Sequence, residues 1–217
     1  MRGSALIGFE IEIVRSRRKT LSITVRDGKV VARAPLHMSQ ERIYAFAESK
    51  EDWIHRTLAG QNDPRFAPVK EGKAILVDGK LFPASFGAAK NEVREGVYCC
   101  KDQRSVRKLL LSERGYLLEE ELFALSRQTG LEPSDVQVRD FSARWGSCGS
   151  DRKIKLNWRL LMLPPELRRY VLLHELCHLR QMNHSRAFWA LVESVCPGYR
   201  QCLRRLKEYA FLTNLYR

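Results

Sequence analysis

Three of the five histidines fall within eleven residues, in the run His174-Glu175-Leu176-Cys177-His178-Leu179-Arg180-Gln181-Met182-Asn183-His184. On a helix, positions four apart stand one turn apart on the same face, so His174 and His178 can offer two imidazoles to one cation. Glu175 lies beside the first of them, within reach of a water on that cation. This is the H-E-x-x-H pattern of zinc hydrolases, in which the carboxylate serves as general base. The surrounding Tyr170, Val171, Leu172, Leu173 and Leu176 make the segment apolar. A glutamate buried there without a partner would be costly. That favours the metal over the plainer alternative of an ordinary helix carrying two surface imidazoles.

A catalytic zinc takes three protein ligands and keeps one position open. His184 is the expected third ligand, because its place is close to the spacing H-E-x-x-H-x-x-G-x-x-H. Gln181 stands where that pattern has its glycine, so Asn183, which tolerates a left-handed backbone, is expected to end the helix instead. Glu193, on the following helix, is the rival ligand. The run Arg144-Trp145-Gly146-Ser147-Cys148 reads as a turn between two strands, with Gly146 at the tight point and Trp145 packed on the active-site helix. Cys177 reads as a small core residue, and Phe188 and Trp189 as core anchors. Tyr170 and Tyr199 are candidate donors to an oxyanion.

The elements that must position these groups follow from periodicity and turn chemistry. The first hundred residues read as strands with one helix between them. Strands around Leu21–Val25 and Lys29–Ala34 flank Asp27-Gly28, and further hairpins are expected at Asp78-Gly79 and Glu95-Gly96. Ser39 caps a helix carrying Ile43, Phe46, Ala47, Trp53, Ile54 and Leu58. Residues 61–68 form a connector broken by Asn62-Asp63-Pro64 and Pro68. Residues 102–129 are helix-like, interrupted at Gly115 and closed by Gly130 and Pro133. Val136–Phe141 and Ile154–Leu160 are strands expected to pair across the Gly-rich loop 144–152, and the second of them is a candidate to pair with an extended peptide. Pro164-Pro165-Glu166 opens the site helix, expected to run to about Met182, and two more helices are split by Pro197-Gly198.

Together these describe a two-part α+β protein: a strand-rich N-terminal region over residues 1–101, then a minimal zincin-like domain over residues 102–217 carrying the H-E-x-x-H helix. At 217 residues the chain is long enough to bury a core without disulfide staples. No apolar run reaches the 18 or so residues that span a bilayer, which argues against a membrane protein. The first residues meet Glu10 before any long apolar stretch, so a secretory signal is not expected and the cytoplasm is. The six cysteines show no C-x-x-C pair and are expected to be reduced thiols. The formal net charge of +13 suits a polyanionic partner, nucleic acid or nucleotide, or else serves only solubility. Its densest clusters are Arg15, Arg17, Arg18 and Lys19, and Arg200, Arg204, Arg205 and Lys207.

The motif series Arg144-Trp145-Gly146-Ser147-Cys148, Ile154-Lys155-Leu156-Asn157-Trp158-Arg159-Leu160, Tyr170 through His178, and Asn183-His184-Ser185 with Phe188-Trp189 resembles the YgjP-like metallopeptidase family. The N-terminal Arg15 to Ile23 is similar to the start of that family, whose catalytic core is similar to SprT-like zinc proteases. The resemblance implies a compact zincin core with His174, His178 and His184 on zinc and Glu175 as general base; it leaves the substrate open, with the family's name pointing to a peptide or protein. Two other chemistries suit the same residues. One is zinc-dependent hydrolysis of a nucleotide or phosphoanhydride, which the charge favours although no G-x-x-x-x-G-K-[ST] loop is present. The other is a nucleic-acid-binding protein with a structural zinc closed by four ligands.

Overall fold

The computed structural model describes residues 8–26, 28–61 and 63–216. The fold is α+β, and the chain divides into two compact units between Ala67 and Pro68. In the first unit, β1 (Ile11–Ser16), β2 (Ser22–Arg26) and β3 (Lys29–Pro35) form a sheet in the order β1-β3-β2. The central β3 runs parallel to β1 and antiparallel to β2, and Arg26 faces Lys29 across the turn. Gly28 in that turn has φ 74°, the left-handed backbone a two-residue hairpin requires, while Asp27 lies outside the described residues.

The single helix expected after Ser39 is two: α1 (Gln40–Glu48) and α2 (Glu51–Gln61). The break has a local cause. Ser49 turns its hydroxyl onto the Phe46 carbonyl at 2.7 Å, and this competes with helix continuation. Together the two helices bury Ile43, Ala47 and Ile54 against the sheet residues Val30, Ala32 and Ala34. The connector carries a 3-10 turn at Pro64–Phe66, capped by Asp63, and leads into the one-turn α3 (Ala67–Lys70).

The second unit starts with a four-stranded sheet, β4 (Ala74–Val77), β5 (Lys80–Phe86), β6 (Glu92–Arg94) and β7 (Val97–Cys100), in the order β4-β5-β7-β6. Both expected hairpins are present. Asp78 and Gly79 have φ 51° and 75°, and Glu95 and Gly96 have φ 50° and 78°, so each turn has two left-handed residues. Next come α4 (Ser105–Arg114) and α5 (Tyr116–Thr129), which meet at Gly115 where a Cβ would lie 2.5 Å from the Leu111 carbonyl oxygen.

Asp78 ties the first hairpin into this unit. Its carboxylate accepts from both Arg114 and Arg168, and Arg168 also makes a bidentate pair with Glu121 at 2.7 and 2.8 Å. The second unit therefore groups this sheet with the helices that carry the histidines.

The third sheet differs from expectation. β8 (Asp135–Arg139) and β10 (Lys153–Asn157) do pair, but in parallel, and the intervening loop supplies β9 (Gly146–Cys148) antiparallel to β10. The order is β8-β10-β9. Both sides of β10 are thus occupied, so the strand first expected to receive a peptide is the central one, and β9 holds an outer edge. The strand also stops at Asn157 instead of Leu160. Asn157 accepts from the Arg159 N–H and caps a 3-10 helix, Trp158–Met162, all five residues of which are buried. The last elements are α6 (Pro165–Cys177), α7 (Arg186–Val195), α8 (Tyr199–Leu206) and a 3-10 stretch, Lys207–Asn214. Gly198, at φ 80°, separates α7 from α8. No helix among the described residues is long and apolar enough to cross a membrane.

Candidate metal centre

α6 begins as its sequence directs, with Pro165 in the first turn and Glu166 at the positive end of the helix dipole. Leu167, Tyr170, Val171, Leu172, Leu173, Leu176 and Cys177 are buried, which fixes the helix inside the unit. It ends five residues earlier than expected, at Cys177, with His178 as its cap at φ −64°. Asn183 does not adopt a left-handed backbone, since the positive-φ residues other than glycine are Asp78, Glu95, Arg152 and Tyr216. The chain turns instead through Leu179 to Gln181, whose N–H groups reach back to the carbonyls of Leu176 and Cys177. Ser185 then caps α7 by accepting from the Phe188 N–H.

This early turn brings His184 back over the helix. The ligand atoms of His174, His178 and His184 all lie within 4.8 Å of one another, and the Nε2 atoms of His174 and His184 are 3.1 Å apart. Phe188 stacks on His178 with centroids 4.4 Å apart and meets His174 and His184 edge-on. Trp189 stacks on His184 and, on its way to the core, on Tyr199. The two aromatic residues of α7 therefore orient the imidazoles. Glu193 is elsewhere, in an ion pair with Arg200 at 2.8 Å. Arg205 is likewise paired, with Glu166, so two members of the C-terminal basic cluster are locally neutralised.

The donor set suits a divalent cation. Burial, with smaller contributions from His178 and His184, pushes His174 down to about 3, so the ring is neutral near pH 7 and keeps a lone pair. Burial likewise lowers His178, against the raising effect of its bond to the Gln181 carbonyl. That bond, 3.0 Å from Nδ1, assigns the proton to Nδ1 and leaves Nε2 as a donor atom. Two nitrogens on a tetrahedral zinc with bonds of 2.0–2.1 Å stand about 3.3 Å apart, close to the His174–His184 separation. Among the described residues no fourth His, Cys, Asp or Glu joins the three.

Glu175 is 6% exposed, and its Oε2 atom is buried without a hydrogen-bond partner. Burial pushes its carboxyl up to about 8 against the pull of the positive Arg144. What makes room for it is Gly146. A Cβ at that position would fall 2.7 Å from Oε1 and 2.8 Å from Cδ and Cγ. Gly146 does not have positive φ, so it is needed for closeness to Glu175 and not for the tight turn expected of it. Tyr170 and Tyr199 are both buried, the first edge-on to His174 and the second beneath Trp189. All six cysteines are free thiols.

Asn157 was legible only as a polar member of an alternating strand. It is fully buried, and its amide donates to the carbonyls of Phe141 and Arg144, both at 2.9 Å, while its N–H donates to Trp145 at 2.8 Å. Next to it, the fully buried Arg159 holds Asp140 and donates to the Leu215 carbonyl. These two side chains set the approach to β9. A polar pair, Asn157 and Arg159, inside an otherwise apolar stretch was the only signal of this role.

A family model described as YgjP-like, metallopeptidase domain, matches residues 19–209. The chain belongs to the YgjP-like metallopeptidase family. As a member of that family it is a metal-dependent hydrolase of the peptidase class, and its three-histidine cluster is the group suited to the metal. Among solved structures, that of the metallopeptidase zymogen of Pyrococcus abyssi abylysin is similar over 41% of this chain and 90% of that one, at 28% identity and a TM-score of 0.38. No curated protein matches the chain.

Proposed function

We propose that this YgjP-like chain is a zinc-dependent peptidase in which His174, His178 and His184 hold the metal and Glu175 is the general base. The observation that carries the reading is the convergence of three imidazoles beside a buried, unpartnered carboxylate on the same helix. Zinc, when bound, supplies Lewis acidity, bringing the pKa of a coordinated water to about 7 and polarising a carbonyl. Glu175 Oε2 takes the proton from the attacking water and hands it to the leaving amine. Gly146 keeps the space in which that carboxylate stands. The outer edge of β9 offers backbone groups to an extended peptide, which would lie along the strand nearest Glu175. Three ligands leave the fourth position for substrate chemistry, which favours a catalytic site over a closed structural one.

The test is metal analysis with a base variant. Protein purified without added metal should carry about one zinc per chain. Glu175→Gln should keep that zinc and lose peptide cleavage by about 10²–10⁴-fold, the usual worth of a general base. A variant that still cleaves at the parent rate removes Glu175 from the mechanism.

A further inference from the structure

One charged group near the site is left over by this mechanism. Arg144 is exposed and lies two residues before Gly146, the first residue of β9 and the one that packs against Glu175. No hydrogen bond ties Arg144 to Glu175 Oε2, which is buried without a partner. Its guanidinium rests on the face of Phe141, 5.2 Å from the ring centroid. Both members of this stack are fixed at the backbone by one side chain, since the buried Asn157 amide donates to the carbonyls of Phe141 and of Arg144. Stacking uses the face of a guanidinium and leaves its five edge N–H donors free. Among the described residues none of those donors meets an acceptor, and the ring of Phe141 is the partner of the guanidinium.

We propose that Arg144 is an anion subsite for the substrate: it receives a carboxylate of the peptide lying along β9, and so selects acidic peptides. A planar fork held on a rigid loop suits bidentate capture of a carboxylate, which is stronger and more directional than attraction to a lysine. The carboxylate is that of an aspartate or glutamate side chain or of the peptide's own C-terminus, and the subsite chemistry is the same for each. The inference rests on the peptidase reading only for the placement of the peptide.

The experiment measures binding separately from turnover. Zinc-loaded Glu175→Gln protein is titrated, by fluorescence anisotropy, with matched labelled peptides that differ in one carboxylate: glutamate against glutamine within the sequence, and free acid against amide at the C-terminus. At least one pair should show about tenfold or tighter binding of the acid form, and the responding pair identifies the source of the carboxylate. Adding Arg144→Gln should abolish that preference, and Arg144→Lys should restore only part of it. Arg204→Gln, which removes a charge of the C-terminal basic cluster on α8, should leave it intact and so separates the subsite from the general basic surface. Zinc content and thermal midpoint matched across the variants exclude misfolding. Absence of binding, equal binding of acid and neutral forms, or a preference that survives Arg144→Gln overturns the proposal. Wild-type protein that binds acidic peptides through Arg144 but cleaves none of them supports the subsite and overturns the peptidase reading instead.

Discussion

Gly146→Ala tests the geometry of the proposed base, Glu175, more sharply than any change to Glu175 itself. The added Cβ would sit 2.7 Å from Glu175 Oε1 and 2.8 Å from its Cδ and Cγ, against an ordinary contact distance of at least 3.4 Å. Something must therefore move by about 0.7 Å. The backbone at Gly146 is not left-handed, so alanine adds no strain of its own and the clash is the whole effect. Glu175 is buried on a helix most of whose residues are buried, and β9 is hydrogen-bonded to β10, so the strain is shared between the carboxylate and the strand. Overpacking of this kind costs about 1–3 kcal/mol of stability. Misplacing a reacting group by about 1 Å costs on the order of 10²-fold in rate. Gly146→Ala should thus lower kcat/KM on a cleaved peptide by about one to two powers of ten and lower the thermal midpoint by several degrees. Zinc affinity should stay within a few-fold of the parent value, because none of the three imidazoles is touched. An alanine variant with parent activity and parent stability would refute the claim that this glycine exists to make room for the base. Loss of zinc along with activity would show that the strand supports the metal rather than the carboxylate.

Further outcomes follow from other contacts. His184→Ala should weaken zinc binding sharply in competition with a chelator of known affinity, while Glu193→Ala, which only releases Arg200, should leave it nearly unchanged; the reverse result would place the third ligand on α7. Asn157→Ala strands one buried N–H and two part-buried carbonyls, which should cost about 3 kcal/mol in urea unfolding. A loss under 1 kcal/mol would mean water replaces the amide. At Asp140, burial alone would raise the carboxyl, but the hydrogen bond and charge of Arg159 outweigh it and hold it below the usual carboxylate range. Its contribution is therefore full above about pH 4, the unfolded value, and is lost as pH falls through the lower folded one. The stability gap between the parent and Asp140→Asn should be constant near neutrality and close below about pH 4; a gap that persists in acid would contradict this.

The clustering of the histidines was more legible in the sequence than the scaffold that brings them together. His174, Glu175 and His178 are related by one helical turn, a geometry any helix imposes, and the turn chemistry of Asp78-Gly79 and Glu95-Gly96 is equally local. Gly146 was visible as a glycine but not for its reason, because the atom it avoids belongs to a residue 29 positions later. The parallel pairing of β8 with β10 was hidden likewise: alternation identifies strands, while their relative direction depends on where the connecting loop goes. That loop returned as β9, a strand of three residues, too short for any periodicity to reveal. Arg159 and Asn157 sat in a run that alternates well enough to pass for a longer strand, and only their complete burial exposes them as polar keystones. The early end of α6 had no marker, since neither Gly nor Pro stands near Cys177.

The Arg168 cluster sets a lower limit on how small a working piece of this chain can be. Gly146, Glu175 and the three histidines span only residues 146 to 184, but Arg168, on the same helix as Glu175, is nearly fully buried and shares its charge between Glu121 and Asp78. Removing one side of such a buried pair costs about 3–5 kcal/mol, a large share of the 5–15 kcal/mol by which a domain is stable at all. A fragment trimmed to the histidine-bearing half would discard Asp78 and leave Arg114 and part of Arg168 without a counter-charge. The same holds for shuffling by recombination: a crossover placed after β7 separates a guanidinium from its carboxylate, while one placed near Pro68 keeps them together. The heritable module is therefore larger than the chemistry it performs.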